Sequence, residues 1–265
     1  MTTSQSLKFR HGSLFSGIGG FDLAAEWMGW TNVFHCELNP FGRKILKHHF
    51  PNSTSYEDIT KTDFSIYRGK LDVLTGGFPC QDASNANQSE TRGSGSEGER
   101  TGLISHMLRA IDEIRPNYIV AENVANILQT NEGKDFGRIL DSVAAMGYNA
   151  EWRIMHASEK GAPHKRARCF LVIYSDRVRL QEGQTFLPYV QEKVEPFGWS
   201  FARTTVSIFR GGAWKDKPPL LLLDDGLPSG LHQEGIKAYG NSIVPQLAFG
   251  IFESIDNLHY GNDEK

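Results

Sequence analysis

The amino-acid sequence predicts an α/β protein, a doubly wound and mostly parallel sheet with helices on both faces, followed by a smaller region of different character. Two observations carry this expectation. Short β-type runs alternate with helix-type segments from the start of the chain to Asp176, the pattern of strand–helix–strand units. Each β-type run also ends at something polar or flexible, as in open sheets that gather a ligand crevice at the carboxyl ends of their strands.

Taken in order, "GSLFSGIGGF" reads as a strand opening into a glycine-rich turn, with "FDLAAEWMGW" as the helix behind it. "NVFHCE" is the next strand, "PFGRKILKHHF" its helix, and "LDVLTGG" a strand that opens onto "FPCQ". In "GLISHMLRAIDEIRP", apolar residues at Leu103, Met107, Leu108, Ile111 and Ile114 recur at helical spacing until Pro116 ends the pattern. "NYIVAENV" follows as a buried strand, "FGRILDSVAAMGY" as an amphipathic helix and "CFLVIYSD" as another strand. Ala83 to Glu99 is rich in Ser, Gly and Asn without any apolar period. A loop of that length in a compact domain serves as a lid or binding loop unless it is plain surface.

After Asp176 the alternation stops. From Arg177 to Lys217, aromatics, glycines and seven basic residues (177, 179, 193, 203, 210, 215, 217) mix with four acidic ones (182, 192, 195, 216), a local balance of +3. Over the whole chain of 265 residues the net charge is −3, so a polyanionic partner has to be held locally rather than by a surface basic all over. "KGAPHKRAR", Lys160 to Arg168, is one such place, or else a solvated basic turn. Three cysteines, Cys36, Cys80 and Cys169, lie far apart without CxxC spacing, which argues against a disulfide framework and a zinc site. The longest apolar run, Leu220 to Leu223, is far too short to span a bilayer, and the expectation is a cytoplasmic protein with no metal.

The candidate chemistry sits at the strand ends. Glycines in Phe15-Ser16-Gly17-Ile18-Gly19-Gly20-Phe21 permit a tight turn and close backbone approach to a ligand, although many glycine-rich turns are only turns. Glu37, seventeen residues beyond Gly20, ends the second strand, where a carboxylate accepts hydrogen bonds from ribose hydroxyls. Asp58 is the next acidic group around the same crevice. Cys80, pinned by Pro79 and preceded by Gly76 and Gly77, is placed like a nucleophile rather than like core packing. Glu122 and Asn123 end the following strand, whereas Cys36 and Cys169 sit inside apolar strands and read as core.

At these residues the sequence resembles the S-adenosylmethionine-dependent DNA cytosine-5 methyltransferases. "FSGIGGF", Glu37, Asp58, "GGFPCQ", "ERTGL", "AENV", Gly147-Tyr148, "GAPHKRARCFLVI" and "YGNSIVPQLA" occur in the family's order. The resemblance implies a Rossmann-like methyltransferase fold. A cofactor-binding and catalytic domain would cover 1–176, a small target-recognition region 177–234, and a C-terminal segment, 235–265, would return to the catalytic domain. It implies catalytic roles for Cys80, Glu122, Arg166 and Arg168. Cofactor contacts would come from Phe15, Gly17, Gly19, Gly20, Phe21, Glu37, Asp58, Pro79, Asn241 and Ser242. Contacts to double-stranded DNA would come from Gln81, Ser84, Asn123, Arg203 and Arg210, around a base flipped out of the duplex. S-adenosylhomocysteine would be the product, and the enzyme would act as a monomer, with any cognate restriction endonuclease acting separately. His164 replaces the family's usual glutamine, and the variable region is short. Transfer-RNA methylation, a catalytically silent DNA-binding homologue and a nicotinamide-dependent dehydrogenase, which would leave "PCQ", "ENV" and "RAR" unexplained, are the competing readings. The tRNA branch's Cys-Phe-Thr insertion is missing from "CQDASNANQ", and the presence of Cys80, Glu122, Arg166 and Arg168 together speaks against the silent homologue.

Overall fold

The structure, a computed structural model, describes residues 8–78, 102–160, 165–187 and 242–260. Seven strands form one sheet: β1 (Arg10–Leu14), β2 (Thr31–Cys36), β3 (Thr54–Tyr56), β4 (Val73–Gly77), β5 (Tyr118–Val124), β6 (Tyr148–His156) and β7 (Ala167–Ser175). Their spatial order is β3-β2-β1-β4-β5-β7-β6. The first five run parallel to one another; β7 runs antiparallel to both β5 and β6. The α/β Rossmann-like expectation therefore holds, with an antiparallel strand inserted near one edge.

Among the described residues, five α-helices accompany the sheet: α1 (Gly20–Trp27), α2 (Pro40–His49), α3 (Gly102–Ile114), α4 (Lys134–Ala145) and α5 (Pro245–Tyr260). Alternation along each strand sends side chains to two separate cores. Leu14, Phe34, Leu74, Ile119 and Leu171 pack with Met107 and Ile111 of α3 and Ile139 and Val143 of α4. On the other face Val73, Tyr118, Val120 and Val172 pack with Ala24 and Ala25 of α1 and Leu247, Ile251 and Phe252 of α5. The last helix thus completes the face that α1 begins, although about 220 residues separate them in sequence.

β6 had no counterpart among the expected strands. Its register against β7 runs from Tyr148 opposite Ser175 to His156 opposite Ala167, and it forms the sheet's outer edge. The strand registers also level the carboxyl ends: Leu14 lies beside Cys36 and Gly76, Gly77 beside Glu122, and Glu122 beside Phe170. Chain order reverses between β1 and β4, which is where open α/β sheets hold their ligands.

Candidate active site

β1 ends in Leu14 and hands the chain to the glycine turn with Phe15 at φ 50° and Gly17 and Gly19 at φ 58° and 90°. A non-glycine residue held at positive φ marks a turn the surroundings dictate. Ser16 is the hub of that turn: its N–H donates to the Cys36 carbonyl (3.1 Å) and its carbonyl accepts from Gly19 (2.9 Å). Among the described residues, a Cβ on Gly17 would meet nothing within 4 Å, whereas a Cβ on Gly20 would press on the Ile243 carbonyl at 2.8 Å. Gly20 therefore lets the segment before α5 close onto the start of α1. A cleft of about 590 Å³ runs between them, lined by Ile18, Gly19, Gly20, Arg166, Ser242 and Ile243.

Glu37 stands over the same turn. Its Oε2 accepts from the Gly17 N–H (2.7 Å) and its Oε1 from the Asn39 N–H (2.7 Å). Each oxygen keeps a second lone pair for an incoming hydroxyl. Asn39 caps α2 by accepting from Phe41 and Gly42, and Leu38 is two-thirds exposed beside Glu37. An apolar side chain left open next to a fixed carboxylate offers a wall for a flat ring, a feature that only its neighbour's assignment could have flagged in the sequence. Phe21, by contrast, is buried and stacked on Phe252, leaving its backbone as the part nearest the turn. The Asp58 carboxylate accepts from Thr60 and pairs with Lys61 at 3.2 Å, interactions that hold its pKa below the ordinary value.

The second cluster is electrostatic. Glu122, at the end of β5, is 7% exposed, and its Oε1 lies 2.9 Å from Nε of Arg168 on the neighbouring β7. Burial pushes its carboxyl up to about 7, against the pull of Arg168 and Arg166. Arg166 adopts φ 33° and donates to the Ser242 carbonyl at 2.5 Å, tying β7's start to the segment that leads into α5. Burial, and then Arg168, lower its pKa. Asn123, also buried, donates from Nδ2 to the Phe78 carbonyl (3.0 Å), two residues before Cys80. The structure thus brings Glu122, Asn123, Arg166, Arg168 and Ser242 together, with the Phe15–Phe21 turn and Glu37 along the same sheet edge. Pro79, Cys80, Gln81, Ser84, Arg203, Arg210 and Asn241 lie outside the described residues.

Burial pushes Cys36 up to about 12 and Cys169 up to about 11, so neither is a thiolate near neutral pH, in keeping with core roles. Among the described residues no group of His, Cys, Asp and Glu side chains could hold a metal ion, and no helix is long and apolar enough to cross a membrane.

The sequence model of the C-5 cytosine-specific DNA methylases matches residues 9–204. The chain belongs to that family. Similar methylases include the Type II methyltransferases M2.BsuMI of Bacillus subtilis (33% identity over 60% of this chain) and M.Eco47II of Escherichia coli (35% over 64%). In each case the match covers 40% of the relative's length. Among solved structures, a DNA modification methyltransferase described as encoded within an E. coli prophage matches at TM-score 0.55 and 25% identity, over 66% of this methylase chain and 49% of the other. Spodoptera frugiperda DNMT2 shares the fold at TM-score 0.51 and 19% identity, over 71% and 61%.

Proposed function

We propose that the protein transfers a methyl group from S-adenosylmethionine to carbon 5 of cytosine in double-stranded DNA, through a covalent adduct of Cys80 with a base flipped out of the helix. The observation that carries this reading is the buried Glu122 paired with Arg168 and within the field of Arg166, at the end of the strand beside the one that leads to Cys80. Carbon 5 of cytosine is a poor nucleophile, so a thiolate must first add at carbon 6 to make the ring electron-rich. That addition drives electrons toward ring nitrogen 3, where a carboxyl group raised to about 7, and so partly protonated near neutral pH, can deliver a proton. Burial gives Glu122 that property. The guanidinium of Arg168 holds the carboxyl in place, and Arg166 supplies a second positive charge near the base's carbonyl.

Bound S-adenosylmethionine supplies an electrophilic methyl on a sulfonium. The residues present fit it: a glycine turn, a carboxylate with free lone pairs hydrogen-bonded to that turn, and a cleft closed by Ser242 and Ile243. Phe15, Gly17, Gly19, Glu37 and Ser242 would hold it, with Asp58, Pro79 and Asn241 around them. Asn123 fixes the carbonyl before Pro79 and so sets where the nucleophile's loop departs. Gln81, Ser84, Arg203 and Arg210 would face DNA. The enzyme would act as a cytoplasmic monomer, and the Type II names of its relatives suggest that any cognate restriction endonuclease acts separately.

Incubation with S-adenosylmethionine and unmethylated duplex DNA in which 5-fluorocytosine replaces cytosine tests this directly. Fluorine at carbon 5 blocks the final elimination, so a protein–DNA adduct stable to denaturant should form, and not with Cys80→Ala. An adduct with RNA in place of DNA, or none with wild-type protein, contradicts the proposal.

A further inference from the structure

Beneath the glycine turn lies a buried polar array that the proposed reaction does not use. Asp22, in the first turn of α1, is fully buried, and among the described residues no ion pair joins it. Its two carboxylate oxygens lie 2.9 and 3.0 Å from the Ser13 hydroxyl, which is 2.6 Å from the Ser16 hydroxyl. With the Ser13 proton directed to Asp22, Ser16 donates to Ser13, and Ser16 Oγ in turn accepts from the Cys36 N–H at 3.2 Å. The residue after Ser16 is Gly17, whose N–H meets Glu37. Hydrogen bonds from Asp22 through Ser13 to Ser16, the Ser16–Gly17 peptide bond and the Gly17–Glu37 hydrogen bond therefore link Asp22 to the carboxylate expected at the ribose.

The other side of Asp22 is anchored as well. Asn32 Nδ2 donates to the Asp22 carbonyl (2.9 Å). Its Oδ1 then accepts from His11 Nδ1 (2.6 Å), which leaves His11 Nε2 to accept from Thr75 Oγ1 (2.9 Å). Burial holds His11 down to about 4 and raises Asp22 to about 7, so the array buries an acid without a counterion. Packing alone would favour an apolar residue here, because an unpaired buried carboxyl costs folding free energy.

We infer that Asp22 and Ser13 are positioning residues for cofactor binding, locking Ser16 so that Gly17 and Glu37 present a preformed site. The inference rests on the reading of this turn as the S-adenosylmethionine site. A preformed site lowers the ordering cost of binding, so loosening it weakens affinity without touching the chemical step.

Calorimetric titration with S-adenosylhomocysteine, alongside steady-state methylation of unmethylated plasmid DNA, tests this. Asp22→Ala and Ser13→Ala should each raise the dissociation constant about ten-fold and raise KM for S-adenosylmethionine, with kcat at saturating cofactor and KM for DNA unchanged. The double variant should lose no more than the worse single one. Asp22→Asn, which keeps two polar atoms against Ser13, should retain affinity within about two-fold of wild type. Ser13→Ala decides the matter if Asp22→Ala fails to fold. Affinity within two-fold of wild type in folded Ser13→Ala, or a fall in kcat matching that in affinity, overturns the inference. Failure of the wild-type protein to bind S-adenosylhomocysteine instead removes the cofactor reading itself, and the positioning role with it.

Discussion

Replacing Glu122 with glutamine should make the protein more stable at alkaline pH while stopping its chemistry, and the size of the first effect follows from the site. A carboxyl whose ordinary value of 4.5 is pushed to about 7 is disfavoured in its charged form by about 3 kcal/mol. Because its folded-state pKa is raised, the native protein binds more protons than the unfolded chain between pH 4.5 and about 7. Stability therefore falls as pH rises through that window, and the full penalty is present above it. Glutamine keeps an oxygen for Arg168 Nε and carries no charge to desolvate. At pH 8.5 the variant should gain up to about 3 kcal/mol, roughly 5–10 °C in melting temperature for a chain of this size, and at pH 4.5 almost nothing. Thermal unfolding of both proteins at the two pH values measures this. Single-turnover methylation by the variant should fall by about 10²–10⁴. A variant less stable than wild type at pH 8.5 would refute the reasoning, since the ion pair with Arg168 would then outweigh burial and Glu122 would rest ionised.

Other consequences follow from single contacts. In Gly42→Ala the new Cβ would lie 2.5 Å from the Gly17 carbonyl and 3.0 Å from Glu37 Cγ, so S-adenosylhomocysteine affinity should drop more than about ten-fold, despite alanine's better helix propensity, worth about 1 kcal/mol. Titration calorimetry showing unchanged affinity would mean that α2 can back away at no cost. Asn123→Ala removes the donor to the buried Phe78 carbonyl, a loss of about 1–3 kcal/mol, and should slow adduct formation with 5-fluorocytosine DNA while leaving cofactor affinity alone. Arg168→Met removes the nearer cation from Glu122, which makes the carboxyl harder to ionise. The alkaline limb of the single-turnover pH profile should move to higher pH, and a move to lower pH contradicts the assigned pairing.

Where a strand or helix buries a full face, its residues announced it. Val73, Leu74 and Tyr118–Ala121 carry apolar side chains on both faces because helices cover both, and α3 shows a clean helical period. The edge strand β6 did carry a signal, since Tyr148, Ala150, Trp152 and Ile154 alternate with Asn149, Glu151 and Arg153. Yet Trp152 and Ile154 stay partly exposed, so the apolar positions did not read as the face of a core. The site divides in the same way. Residues on strand ends, Glu37, Glu122 and Asn123, were legible because the topology of an open sheet gathers its strand ends on one edge. The closure of the cleft by Ser242 and Ile243 had its sign only in the motif. The support beneath the turn had none: Ser13, Asp22 and Asn32 are ordinary polar residues in sequence, and only the packing of β1, β2 and α1 shows that they are buried against one another. The side chain of Phe21, a residue expected at the cofactor, packs in the core on Phe252, more than two hundred residues away in sequence, and leaves its backbone beside the turn.

Bisulfite sequencing of a plasmid recovered from a methylation-deficient host that expresses this chain, with Cys80→Ala alongside, tests the central claim most directly. Cytosines protected in one recurring sequence context by the wild-type protein, and unprotected with Cys80→Ala, are the predicted result. Full conversion of every cytosine despite soluble wild-type protein, or protection that survives Cys80→Ala, would contradict it.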